Sequence, residues 1–276
     1  MQIDIFDVEH GQCSVITCLN GQKILVDTGH NAATGWRPSV AFRGQYFARV
    51  LITNVDEDHM SDFAGIQEQC SFQGIWHNNN LTPDIIRKLK QEYGMGRGVE
   101  AFAEFLDGSV SLGDTELVGL GGVEVVQYYN SYPAFTDENN LSAVYFVHYG
   151  NFSIAFTGDI EKAGWDALLE QPGFKEQLQR VSIFMASHHG RENGCNAKVF
   201  EHCFPSIIVI SDGGKQHTTQ ETTDWYASKA QGIQCKDGQT RSVYTTRKHK
   251  NMRIEVPLSG GFTIFRNVTL PSNSYA

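Results

Sequence analysis

The segment Thr53-Asn54-Val55-Asp56-Glu57-Asp58-His59 brings Asn54, Asp56, Asp58 and His59 within six residues. Carboxylate oxygens and imidazole nitrogens are the usual ligands of a catalytic divalent metal. Residues 50–53 read as an apolar strand and a helix is expected after His59, so these side chains project from one turn. The same acids also suit a helix N-terminus, where Asp and Glu oppose the macrodipole. That alternative explains Asp56 and Glu57 and leaves His59 without a role.

Other polar clusters follow strands in the same way. Thr157-Gly158-Asp159 ends an apolar run, and Asp159 either points out of the sheet edge or caps a helix starting near Glu161. Ser187-His188-His189-Gly190 follows another strand. Alternation along an extended backbone would send one histidine into a site and the other away; a plain surface pair is the alternative. Asp27, in Asp27-Thr28-Gly29-His30, can orient metal ligands from behind or simply belong to a turn. Lys215 and His217 lie in a Gly-rich loop, where His217 can act as a general acid, bind an anion, or be an ordinary loop residue. One site at a shared sheet edge accounts for all of these positions.

The elements that must carry them are short. Strands are expected at 3–8, 14–19, 23–26, 50–53 and 71–77, with Asn20-Gly21 as a hairpin turn. Thr82-Pro83-Asp84 starts a helix, glycines 94, 96 and 98 interrupt it, and a second helix is expected at 99–106. Residues 78–112 therefore read as an insertion or lid. In the second half, 143–149 and 152–156 form a hairpin, 161–170 a helix, 181–186 and 207–211 strands, and 221–230 a helix. Strands at 242–245, 252–256 and 262–265 close the chain, and 267–276 reads as a loose tail. Strands with interspersed helices, given twice, suggest two sheets face to face with helices outside.

Composition narrows the function classes. The chain has 276 residues and a net charge of −9, which argues against broad, sequence-independent nucleic-acid binding. Its apolar runs fall far short of the roughly 18 residues of a membrane helix. The start MQIDIFDVEHG is acidic where a signal peptide is basic, so a cytoplasmic protein without membrane association is expected. The six cysteines form no CxxC pair and are expected to be reduced, with Cys13 a small core residue. Dinucleotide, P-loop and nucleophile-elbow motifs are absent.

Taken in order, the motifs resemble the metallo-β-lactamase fold superfamily, and within it the ComEC-like metallo-hydrolase domain and its stand-alone relatives. Asp7-Val8-Glu9-His10-Gly11 is similar to that group's opening DVGxG segment, and Ile24 through Gly29 to its ILIDTG. Asn54 through His59 stands in the place of HxHxDH and is closest to the HxDxDH form typical of this group. Asn139-Asn140-Leu141-Ser142 resembles NNxS, Thr157-Gly158-Asp159 TGD, Ser187 through Gly190 PHHG, His217 through Glu221 HPxPE, and Val243 through Arg247 VYRTD. The resemblance covers residues 1–266 and implies one α+β domain, a four-layer αββα sandwich.

It also implies one or two divalent ions per chain, zinc or manganese. One would use Asn54 and Asp56; the other Asp58, His59 and His189; Asp159 would bridge them. Asp27, Asn140, His188 and Lys215 would support the site or the substrate, and Asp58, Asp159 and His217 would carry catalysis. The sequence departs from the pattern at Asn54, where an amide replaces imidazole, and it lacks a clear counterpart of the superfamily's middle histidine, Asn139 or Asn140 lying nearest. The expected activity is metal-assisted hydrolysis of a phosphodiester, with a short nucleic acid or nucleotide as substrate. A protein partner would suit the acidic charge. The alternatives are a catalytically impaired binding or regulatory module, and a hydrolase of a non-phosphate ester, lactone or β-lactam. The sequence leaves oligomeric state open.

Overall fold

Apolar segments with alternating or fully buried patterns assemble into two sheets laid face to face. The computed structural model describes residues 1–92, 94–108, 119–214 and 221–269. The first sheet runs Thr263–Arg266, Met252–Glu255, Gln2–Ile5, Ser14–Thr17, Lys23–Val26, Arg49–Leu51, Ile75–Trp76. The second runs Val243–Thr245, Ile207–Ile210, Ile183–Met185, Phe152–Phe156, Ala143–Tyr149, Val123–Tyr129.

Packing defines the layers. Ile3, Ile16, Ile24 and Val26 of the first sheet share a buried core with Tyr145, Ile154, Phe156 and Val209 of the second. On the outer face of the first sheet, Val15, Leu25 and Val50 pack with Phe63, Ile66, Ile86 and Phe102 from helices. On the outer face of the second, Phe146 and Ile208 pack with Trp165, Leu168, Phe174 and Leu178. The arrangement is the four-layer αββα sandwich expected from the sequence. Strands buried on both faces read as unbroken apolar runs, as in Ile207–Ile210.

Some elements differ from expectation. The first strand spans Gln2–Ile5, because beyond Ile5 the chain leaves the ladder toward the site. Residues 71–77 divide at Gly74: Ser71–Phe72 pairs with Tyr46–Phe47, and Ile75–Trp76 joins the first sheet. The late helix covers only Thr223–Ala227. Two elements are not among those expected: the edge strand Val123–Tyr129, whose VEVVQYY run is rich in strand formers, and Phe174–Gln179, a short helix after a Gly at φ 79°.

Of residues 78–112, 93 and 109–112 lie outside the described ones; the rest hold helices Pro83–Leu89 and Arg97–Gly108, with Ile86, Val99, Phe102 and Ala103 buried in the outer core. These helices form part of the outer layer. Thr82 Oγ1 accepts from Ile85 N at 3.4 Å, the expected cap. At the other end of the chain, Asn267 N and Val268 N donate to the carbonyls of His249 and Asn251, so the tail starts tied down; residues 270–276 lie outside the described ones. All six cysteines are free, and burial pushes the Cys13 thiol well up. Among the described residues no helix is long and apolar enough to cross a membrane.

Candidate metal centre

The site is assembled at the carboxyl ends of mutually parallel strands. Lys23–Val26 runs parallel to Arg49–Leu51, and Phe152–Phe156, Ile183–Met185 and Ile207–Ile210 run parallel to one another. The chain after them supplies, in turn, Asp27, Asp58 and His59, Asp159, His189 and Ser211. Gly11, at φ 123°, closes the back: a Cβ there would lie 2.2 Å from the Asp58 carbonyl oxygen. Ser211 Oγ donates to the Gly11 carbonyl at 2.7 Å, joining two of these loops.

Asp27 sets the orientation of His59. Its carboxylate accepts from Thr53 N at 2.7 Å, Thr53 Oγ1 at 2.5 Å and His59 Nδ1 at 2.9 Å. With Nδ1 donating to Asp27, Nε2 is the His59 nitrogen that faces the site. His189 is held likewise, its Nδ1 donating to the Ser211 carbonyl at 3.0 Å. The two Nε2 atoms stand 3.2 Å apart. His59 Nε2 is 3.1 Å from Asp159 Oδ1, and His189 Nε2 is 3.1 Å from Asp58 Oδ2 and 3.5 Å from Asp159 Oδ1.

Asp58, His59, Asp159 and His189 thus offer ligand atoms all within 4.8 Å of one another. Two imidazole Nε2 atoms facing each other beside two carboxylates form a set that could hold a divalent cation. Two nitrogens and two oxygens are a donor set that suits zinc or manganese. Burial would lower the pKa of His59, but Asp159, Asp27 and Asp58 outweigh it and hold it well above the ordinary imidazole value. His189 is likewise pushed up to about 10, by Asp159 and Asp58 against burial. Burial would raise Asp159, but His189 and His59 hold it well below the carboxylate range. Asp58, opposed by the same burial, is held at about 2 by His59 and His189. Asp27 goes the other way: burial raises it despite His59 and Thr53.

The neighbouring motif residues do other work. Asp56 lies outside the group of four. Its Oδ1 accepts from Glu57 N at 2.8 Å and from Lys90 Nζ at 2.9 Å, so it caps the turn and pairs with an ammonium. The Glu57 carboxylate accepts from Gly98 N and Val99 N, at the start of Arg97–Gly108. The helix-terminus alternative therefore describes Asp56 and Glu57, while Asp58 and His59 enter the site. Asn54 is buried with Oδ1 lacking a hydrogen-bond partner, and its Nδ2 donates to Asn139 Oδ1 at 3.4 Å.

Asn140 is consumed by structure. Its Oδ1 accepts from Glu161 N at 3.2 Å and Gly164 N at 2.9 Å, capping Lys162–Leu169. Asp159 is thereby free of the capping role that the sequence left open. His188 does not point away as alternation predicted: His188 and His189 both have positive φ, 49° and 51°, so alternation does not apply. His188 Nε2 lies 3.9 Å from Asp159 Oδ2 and its Nδ1 3.4 Å from Glu161 Oε1. Burial lowers the His188 pKa. Lys215 and His217 lie outside the described residues.

Not every residue in or beside the site is among those expected. Ser211 and Asp212 follow a strand as Asp159 does, and the same strand-end rule would have found them. Burial raises Asp212 to about 6 even though Arg247 Nη1 is 2.5 Å from its Oδ2. Glu161 and Lys90 have no comparable signal, since each reaches the site region from a helix end.

The chain matches no family model and no curated protein. Its backbone is similar to that of a protein assigned as a metal-dependent hydrolase from Parabacteroides distasonis (TM-score 0.46, 19% identity, 87% of this chain and 91% of that one). It is also similar to Zn²⁺-bound PqqB from Methylobacterium extorquens (TM-score 0.49, 10% identity, covering 91% and 99%). A third likeness is to a protein from Thermotoga maritima assigned as a Zn-dependent hydrolase of the metallo-β-lactamase superfamily (TM-score 0.42, 10% identity, covering 88% and 97%).

Proposed function

We propose that the chain is a metal-dependent hydrolase of the metallo-β-lactamase kind, with the motifs of the ComEC-like group, acting on a phosphodiester. The observation that carries this is the convergence of Asp58, His59, Asp159 and His189 within 4.8 Å. A divalent ion held there, zinc or manganese, would supply Lewis acidity and lower the pKa of a bound water toward 7. Asp27 and the Ser211 carbonyl fix both imidazoles with Nε2 toward the ion. Asp58 and Asp159 would hold the ion with the two histidines, and one of them would orient or deprotonate the attacking water. His188 Nε2 lies 3.9 Å from Asp159 Oδ2, and His188 would be the next acceptor of that proton. His217 and Lys215, assigned from residue type, would protonate the leaving group or neutralise phosphate oxygens.

The net charge of −9 favours a short nucleic acid or nucleotide, or one delivered by a protein partner, in a cytoplasmic setting. A panel of single-stranded DNA, double-stranded DNA, RNA and cyclic nucleotides with Mn²⁺, Mg²⁺ and Zn²⁺ tests the reading. Hydrolysis of one class, abolished in Asp159→Ala, is expected; full turnover by that variant would refute it.

A second reading, a catalytically impaired binding or regulatory module, is favoured by Asn54 and by the Asp56–Lys90 pair. Less than about one bound metal per chain, with no phosphodiester hydrolysis, would select it.

A further inference from the structure

Lys90 follows the helix Pro83–Leu89 and reaches into the Asn54–His59 turn. Its side chain is 5% exposed, with Nζ 2.9 Å from Asp56 Oδ1 and 2.9 Å from Glu138 Oε1. A buried ammonium needs such compensation, and it has two carboxylates. Glu138 is followed by Asn139, whose Oδ1 accepts from Asn54. The ammonium therefore sits among the residues around which a first metal, on Asn54 and Asp56, would form.

We propose that Lys90 takes the electrostatic place of that metal, so the chain holds a single divalent ion, on Asp58, His59, Asp159 and His189. Asp56 Oδ1 is already shared between Lys90 and the Glu57 amide. Asn54 is neutral, and Asp159 is already committed to both histidines. A second dication there would have one amide, part of one carboxylate and a repelling ammonium. This inference rests on the metal-dependent reading above and specifies its metal content.

The test is Mn²⁺ titration of the full chain, with metal counting after gel filtration and electron paramagnetic resonance. Wild type is expected to hold one ion with the spectrum of an isolated centre, any second ion binding at least about 100-fold more weakly. Asp56→Asn should keep that ion with affinity within about 3-fold, because Asp56 serves Lys90. Lys90→Met should free Asp56 and Glu138 and admit a second ion; Lys90→Arg should not. Two tightly bound, magnetically coupled ions in wild type would overturn the inference, as would loss of the ion in Asp56→Asn. So would a Lys90→Met protein that still holds one. If Lys90→Met does not fold, wild type and Asp56→Asn decide. A wild-type chain holding no ion overturns the hydrolase reading as well, whereas two ions overturn this inference alone.

Discussion

His59 Nε2 and His189 Nε2 stand 3.2 Å apart, each imidazole fixed from behind by an acceptor: Asp27 for one, the Ser211 carbonyl for the other. Both Nε2 atoms are thereby left facing each other across the site, beside Asp159 and Asp58. The centre is thus built from the back outward, and its testable consequences begin there.

Asp27→Asn should weaken divalent-ion binding by roughly 10–100-fold, the usual cost of losing the acceptor behind a metal-bound imidazole. Isothermal titration of folded variant and wild type measures it. Equal affinities would remove Asp27 from the site.

Protons should compete with the ion. Because His59 and His189 are both raised, His189 to about 10, ion binding at pH 7 should release about two protons. Affinity should then climb with pH, read from titrations in buffers of different ionisation heat. The ion-free chain should show the linked stability effect. His189 is raised from 6.5 to about 10, so its contribution is full below pH 6.5 and is lost as pH rises through 10. Melting temperature after chelation should fall across that window, and Zn²⁺ should reduce the fall. A flat profile would contradict the assigned electrostatics.

Glu57→Ala should cost about 1–2 kcal/mol of stability, because its carboxylate satisfies the amides of Gly98 and Val99 at a helix start. Ion affinity should scarcely change, whereas Asp58→Asn should lose it. Chemical denaturation and metal titration separate the two effects. Equal loss of ion binding in both variants would mean that neighbouring acids act together.

Gly11→Ala would press a Cβ to 2.2 Å from the Asp58 carbonyl oxygen at φ 123°. The strain should be about 1–3 kcal/mol or more, lowering the melting temperature by roughly 2–12 °C. An unchanged melting curve would show that the loop can move aside.

The strand-end rule read from the sequence reached Asp27, Asp58, His59, Asp159 and His189, because polar residues after buried strands have one sheet edge to share. Direction within a turn was not legible. Asp56 through His59 enter a helical turn that rotates each side chain by about 100° from the last, so four metal-competent types in six residues need not face one ion. Asp56 faces Lys90, which arrives 34 positions later from a layer whose packing depends on Ile86 and Phe102. Likewise the positive φ of His188 and His189 has no signal in their residue types, so the expectation that one points away failed. Asn139 and Asn140 are chemically identical, and only packing gives one to Asn54 and the other to a helix cap.

Anomalous diffraction from Mn²⁺-soaked crystals tests the central claim most directly. A peak bonded to Asp58, His59, Asp159 and His189 is expected. Absence of a peak there, or a peak bonded to Asp56 with His59 and His189 unengaged, would contradict it.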